Sequence, residues 1–196
     1  MRSKEEIAAY KKRWNVINRS RRSAQAKAAY LYKIGDLSKR HTEFCRKLHL
    51  LTPYDIGQLV AFVAGEGHIG LNRQTSASNT NHRKRTYYSA VVSIANTEES
   101  LMVWLQSKLG GKVRWDTQRK FNSIATKPCA YWSVHGRDAG SLCEIMLPHL
   151  IFKRERAELV VEFFKYNSVP GRDLDDFECN RRAAIYEKFL RLKRGY

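Results

Sequence analysis

Residues 52–67 carry the tightest local instruction in the chain. Thr52 is a good helix N-cap, Pro53 suits the first helical position, and Asp55 follows Thr52 by three residues as in a capping box. Ile56, Leu59, Val60 and Val63 supply the apolar faces. Gly65-Glu66-Gly67 closes the helix, with Gly67 expected as a left-handed cap. Directly beyond, residues 68–74 alternate, Ile69 and Leu71 standing against polar neighbours, which is the period of a strand. A polar loop over 76–84 leads to a second strand over 86–95 and completes a long hairpin. A capped helix that runs straight into a hairpin excludes an all-helical fold.

The same layout then recurs without a sequence repeat. Asn96-Thr97-Glu98-Glu99 opens a helix with Leu101, Trp104, Leu105 and Leu109 on one side, and Gly110-Gly111 ends it. A second hairpin pairs residues 112–118 with 130–135, and helices are expected over 137–146, 150–166 and 181–194. The order predicts an α+β fold, αββαββα, with two hairpins in one twisted antiparallel sheet. Ahead of it, residues 1–49 contain one glycine and no proline, and read as helix over 5–32, a turn at Gly35-Asp36 and a second helix to 49. The apolar positions Ile7, Tyr10, Trp14, Ile17, Ala24, Ala28 and Leu31 form a seam that packs on the protein or lines a basic arm. The expected organisation is a basic helical extension over 1–49, a main domain over 50–168 and a helical segment over 169–196.

Charge narrows the partner. The 196 residues hold 36 Lys and Arg against 19 Asp and Glu, a net charge of +17. The first 49 residues alone hold 14 basic and 4 acidic ones. An excess of this size favours a polyanion, of which nucleic acid is the commonest. The most apolar stretch, 59–64, is far short of the roughly 20 residues that cross a bilayer, and no signal peptide is expected from the opening residues. Cysteines at 45, 129, 143 and 179 form no C-x-x-C pair, which points to reduced, intracellular thiols. His41, Cys45 and His49 lie on one helix face but spread over about 12 Å, too far to share one zinc ion.

Two patterns remain in the helix at 53–65. Residues 65–70 match G-x-G-x-x-G, but these glycines end a helix and begin a strand, the reverse of a dinucleotide site. Gly57, Ala61 and Gly65 lie four apart on one face, which either packs on the chain's own core or lets a second helix approach closely. Two such helices side by side would bring two Glu66 carboxylates together. A carboxylate pair beside basic hairpins suits hard divalent cations and phosphodiester hydrolysis.

In these residues the chain resembles the LAGLIDADG homing endonucleases. Leu59-Val60-Ala61-Phe62-Val63-Ala64-Gly65-Glu66-Gly67 lies along the family's nine-residue motif. Val92-Ser93-Ile94-Ala95-Asn96-Thr97, Leu109-Gly110-Gly111-Lys112-Val113, Tyr131-Trp132-Ser133-Val134-His135-Gly136 and Leu147-Pro148-His149-Leu150 with Lys153 follow in the family's order. The resemblance spans about 53–166. It implies a site-specific, Mg²⁺-dependent DNA endonuclease, with Mn²⁺ or Ca²⁺ able to occupy the same site. Glu66 and the Gly65 carbonyl would bind metal, Asn96 would sit near the attacking water, and Lys153 would be the basic active-site residue. Asn96 also has the plainer role of a helix N-cap, and Lys153 that of a solvated surface charge. Ala64 replaces the motif's usual first acid, and Val60 and Ala61 replace common Ala and Gly. One motif implies a homodimer across Gly57, Val60, Ala61 and Ala64, and a palindromic or pseudo-palindromic target. The protein would be intracellular, in a microbe, a phage-infected cell or an organelle.

Strand alternation assigns a reading face. With Ile69, Leu71, Val92, Ile94, Val113, Trp115, Trp132 and Val134 inward, the outward residues are Asn72, Gln74, Tyr87, Ser89, Ser93, Arg114, Asp116, Gln118, Tyr131, Ser133 and His135. Arg83, Lys84, Arg85, Arg119 and Lys120 are placed for phosphates, and deleting 1–48 is expected to flatten the salt dependence of binding. The alternative partner is intron RNA, for a non-cleaving maturase, with a DNA-binding regulator as the other non-cleaving reading.

Overall fold

The computed structural model describes residues 35–77, 84–116, 128–165 and 176–194. The chain divides into two compact units, Met1–Arg40 and His41–Tyr196. Of the first unit the described residues, 35–40, are helical, and Asp36 pairs with Arg40 at 2.8 Å. The turn expected at Gly35-Asp36 is therefore corrected. A helical glycine costs about 1 kcal/mol at most, and the pair one turn on offsets part of it. The helix expected over 5–32 lies outside the described residues.

The second unit opens on a helix over 41–49 (α1). Then follow α2 (Pro53–Gly65), β1 (Gly67–Ala77), β2 (Lys84–Asn96), α3 (Glu99–Leu109), β3 (Lys112–Asp116), β4 (Cys129–His135), α4 (Arg137–Met146), a 3-10 turn (Leu147–His149), α5 (Arg154–Phe164) and α6 (Asp176–Arg194). The four strands form one antiparallel sheet in the order β1-β2-β4-β3, so each hairpin gives one central and one edge strand. Ile69 and Leu71 of β1, Val92 and Ile94 of β2, and Trp132 and Val134 of β4 are buried on one face. Leu59 and Val63 of α2, Leu105 and Leu109 of α3, Leu142 and Met146 of α4, and Val160 and Phe163 of α5 close over them in one core. Phe44 and Leu48 of α1 and Ile185 and Phe189 of α6 join it. No described helix is long and apolar enough to cross a membrane.

The capping box of α2 is present: Thr52 Oγ1 accepts from the Asp55 N–H at 3.1 Å, and the Thr52 N–H donates to Asp55 Oδ2 at 3.0 Å. Asp55 is buried and also pairs with Lys108 of α3 at 3.1 Å, tying the first turn of one helix to the last turn of the other. Thr52 comes first among the groups that hold the Asp55 carboxyl below the usual range, and Lys108 adds to it. At the other end of α2, Gly67 is not a left-handed cap. Glu66 is the C-cap in the right-handed region, and Gly67 already begins β1. Its missing side chain is needed for another reason, since a Cβ there would lie 2.6 Å from Val63 Cα. Gly110 and Gly111 end α3 as expected, both at positive φ, and a Cβ on Gly111 would lie 2.8 Å from Trp132 Nε1.

Boundaries move where tertiary contacts decide them. α3 begins at Glu99 with Glu98 as its cap, so Asn96 is the last residue of β2 rather than the N-cap; its Oδ1 instead accepts from the Glu98 N–H at 2.8 Å. α5 begins at Arg154 instead of 150, because Leu147–His149 forms a 3-10 turn and Lys153 sits in the left-handed region at φ 63°. α6 begins at Asp176, five residues early. Trp115 keeps the parity of the buried face but remains 43% exposed near the end of the short edge strand β3.

Candidate functional site

Three distant parts of the chain meet at the end of α2. Glu66 follows the last turn of that helix, its N–H donating to Phe62 O at 2.9 Å, and its carboxylate is exposed. The pairing of Gly67 with Ile94 brings the end of β2 beside it, and Asn96 Nδ2 donates to Glu66 Oε2. Because Asn96 Oδ1 is held by the Glu98 N–H, the amide is oriented from one side and orients Glu66 on the other. Lys153 arrives from the segment before α5. Its Nζ donates to Val63 O at 2.8 Å and to Gly67 O at 2.6 Å, the carbonyls that bracket the Gly65-Glu66 turn. A cation at these carbonyls satisfies acceptors that a helix C-terminus leaves open and opposes its negative dipole end. Burial, then the Arg156 charge, draws the Lys153 ammonium below the usual lysine range.

No group of three or more His, Cys, Asp or Glu that could hold a metal ion lies together among the described residues. What this chain offers is one exposed carboxylate, Glu66, at a helix end whose Val63 and Gly67 carbonyls accept from Lys153. A single carboxylate is a hard oxygen donor of the kind taken by a cation that keeps several waters and binds one or two carboxylates plus phosphate.

The small-residue face of α2 lies open. Gly57, Ala61 and Gly65 are exposed, and a Cβ added at Gly57 or Gly65 would meet nothing within 4 Å. Of the two partners left open by the sequence, the chain's own core is therefore not the one used. Val60 and Ala64 flank this stripe and are half-buried.

Solved structures share this architecture. I-CvuI in complex with the I-CreI target aligns at a TM-score of 0.52 and 23% identity, over 69% of this chain and 80% of that one. I-CvuI in complex with its own target gives 0.51 and 22% over the same shares. The archaeal intron-encoded homing endonuclease I-Vdi141I, complexed with DNA, gives 0.55 and 13% over 70% and 83%. The chain has the LAGLIDADG homing endonuclease fold. No protein-family model and no curated protein matches the sequence.

In this fold the core helices pack on one face of the sheet; among the described residues the other face carries exposed Asn72, Gln74, Tyr87, Arg114, Tyr131 and His135, with Val91 and Cys129 of the same parity buried. The register places the expected outward residues on that second face. Asn72 pairs with Ser89, Gln74 with Tyr87, Ser93 with Ser133, and Arg114 with Tyr131. Tyr87 is 50% and Tyr131 37% exposed. His135 lies beside Ser133, with Nε2 3.1 Å from its Oγ. Burial, then the Lys112 charge, holds His135 below the ordinary imidazole range, so near neutrality its ring is uncharged. Asp116 is opposite Cys129, and Lys84 and Arg85 begin β2 opposite Ala77 and Ser76. Arg83, Gln118, Arg119 and Lys120 lie outside the described residues.

Two outward residues escaped the sequence reading. His68, Ser93, Ser133 and Lys112 are in register across all four strands and form one polar row next to the Glu66 end of the sheet. His68 shares the parity of Asn72, and Lys112 that of Arg114, so alternation carried to the strand ends would have found both. The His68 ring lies over Gly70, in the space a side chain there would take.

Proposed function

We propose that the chain is a LAGLIDADG homing endonuclease that cuts both strands of a palindromic or pseudo-palindromic DNA site as a homodimer, by Mg²⁺-dependent phosphodiester hydrolysis. The observation that carries this reading is the meeting of Glu66, Asn96 and Lys153 at the end of a helix whose small-residue face is uncovered. A second copy docked on Gly57, Val60, Ala61 and Ala64 would close that face and set two Glu66 carboxylates side by side. The exposed side chains of Ile151 and Phe152, just before Lys153, favour a covered surface at this end of the molecule.

In this reading Glu66 and the Gly65 carbonyl would hold the divalent cation, Mg²⁺, at a site that Mn²⁺ or Ca²⁺ could also occupy. When bound, the cation would act as a Lewis acid and stabilise the negative charge that develops on the leaving oxygen. Asn96 fixes the Glu66 carboxylate and, with its neighbours, the place of the attacking water. Lys153 keeps the Glu66 turn in position by binding the carbonyls on either side of it, and its positive charge lies close to the scissile phosphate. The sheet face away from the core helices fits the major groove of double-stranded DNA, where Asn72, Gln74, Arg114, Ser133 and neutral His135 present mixed donors and acceptors. Lys84, Arg85, Arg83, Arg119 and Lys120 hold phosphates, as the net charge of +17 favours.

The experiment is cleavage of a plasmid library of partly randomised palindromes, with Mg²⁺ and with EDTA, beside a Glu66→Gln protein. Metal-dependent cuts that cluster at one sequence and vanish in the variant are expected. DNA binding without cuts would replace the reading by a regulator, and intron-RNA binding alone by a maturase.

A further inference from the structure

Along the outward side of β1, His68, Gly70, Asn72 and Gln74 alternate with the buried Ile69 and Leu71. Gly70 breaks this series, having the parity of a reading residue and no side chain to read with. Its place is filled from two residues back. The three heavy atoms nearest to a Cβ built on Gly70 all belong to His68: Nε2, Cδ2 at 3.2 Å and Cε1 at 3.3 Å. The imidazole is therefore laid along the strand, away from the Glu66 end, with its far edge over Gly70. Across the sheet Gly70 pairs with Val91, and Val91 with His135. Val91 is buried in spite of its outward parity, while His68 and His135 are exposed to either side of it. A ring seated in this way has less rotamer freedom to lose when a partner arrives. In its neutral form it offers one nitrogen that donates and one that accepts.

We propose that His68 is a specificity-determining residue of the DNA interface, seated by Gly70 as its positioning residue, and that it reads a base pair about two to four steps from the bond cut. This rests on the reading of the chain as a DNA endonuclease with Glu66 at the scissile phosphate. At about 3.3 Å per strand residue, position 68 lies about 7 Å from Glu66 and position 70 about 13 Å, and the ring spans the two. Base pairs rise about 3.4 Å per step. For a strand laid along the major groove, the ring thus stands about two to four steps out, and Asn72, at about 20 Å, about six. The net charge of +17 supplies attraction without sequence information, and the seated ring supplies the reading between Glu66 and Asn72. Gly70 differs from Gly67 in what a methyl would meet. At Gly67 it meets the backbone of Val63, whereas at Gly70 it meets only a ring that rotates away. Gly70→Ala therefore leaves the strand in place and evicts His68 from its seat.

The test selects bound duplexes from a library of randomised palindromes, with EDTA so that binding is read without cutting. It compares the unaltered full chain with His68→Ala, Gly70→Ala, the double variant and Asn72→Ala. In the unaltered protein, changing a base pair read by His68 is expected to lower affinity about tenfold. His68→Ala and Gly70→Ala are each expected to cut that penalty to about twofold or less, at the same positions. Those positions should lie about two to four steps nearer the target's centre than the ones relaxed by Asn72→Ala. The double variant is expected to match His68→Ala alone, and Gly70→Ala to keep the Tm of the unaltered chain. An unchanged base profile in His68→Ala, which needs no change at the glycine, would overturn the proposal and leave the endonuclease reading standing. So would a Gly70→Ala change that still alters the profile when His68 is absent. Duplex binding by the unaltered chain without base preference, or no duplex binding, would overturn both.

Discussion

Replacing Gly67 by alanine should break the join between α2 and β1, whereas the same change at Gly65 should leave the fold of the chain intact. The Cβ of an alanine at 67 would stand 2.6 Å from Val63 Cα and 2.8 Å from Val63 O, against an ordinary contact of 3.4 Å or more. The shortfall is about 0.8 Å, and the atoms it meets are helix backbone, held by the Glu66 N–H bond to Phe62 O and by Lys153. No side-chain rotation relieves it, so the strand must move. Overpacking of this kind costs about 3 kcal/mol, the upper part of the usual range, and a chain of this length then loses roughly 6–12 °C in Tm. At Gly65 nothing lies within 4 Å, so alanine costs the chain no contact. Its methyl would instead stand in the proposed helix–helix seam. Thermal unfolding by circular dichroism at low concentration, with sedimentation for association, separates the two. Gly67→Ala should unfold early, and Gly65→Ala should keep the Tm of the dissociated chain while weakening the dimer. An unchanged Tm for Gly67→Ala would refute the steric argument.

Lys153→Met removes two charge-assisted bonds at 2.8 and 2.6 Å and leaves the Val63 and Gly67 carbonyls without them; denaturant titration should show a loss of about 2 kcal/mol, together with loss of cutting. The Asp55 carboxyl titrates in the folded chain below its ordinary 3.8. Its contribution is thus complete above that value and disappears as the pH falls through the lowered one, so the Tm advantage over Asp55→Asn should shrink on acidification below about pH 4 and stay level from there to neutrality. For the basic arm, the truncation that tests phosphate contacts ends at Arg40, because Phe44 and Leu48 belong to the core. Removing residues 1–40 should flatten the slope of log affinity against log salt without changing the preferred sequence.

Features carried by neighbours in the chain were legible in advance. The Thr52–Asp55 box is written in four consecutive residues, and the alternation of β1, β2 and β4 sorts Asn72, Gln74, Ser93, Tyr131 and Ser133 onto one face without any knowledge of pairing. Gly67 shows the limit of such reading. The residue was singled out, but its reason is the approach of β1 to the backbone of Val63, a contact invisible without the fold. Lys153 shows it more strongly. Resemblance marked the position, yet its partners are two backbone carbonyls 90 and 86 residues away. No side-chain pattern encodes them, nor the left-handed residue that delays α5 to Arg154. Trp115 had the right parity, but residues at the end of an edge strand lack the neighbours that would bury them. The pairing of His41 with Asp138 spans 97 residues and likewise had no local signal.

The most direct test of the account uses a target selected from the palindrome library, with strand-resolved cutting and the mass of the protein–DNA complex measured on one preparation. The account predicts two chains per duplex, cuts in both strands with Mg²⁺, none with EDTA, and none with Glu66→Gln although that variant still binds as two chains. Cutting by a complex that holds one chain, or cutting retained by Glu66→Gln, would contradict it.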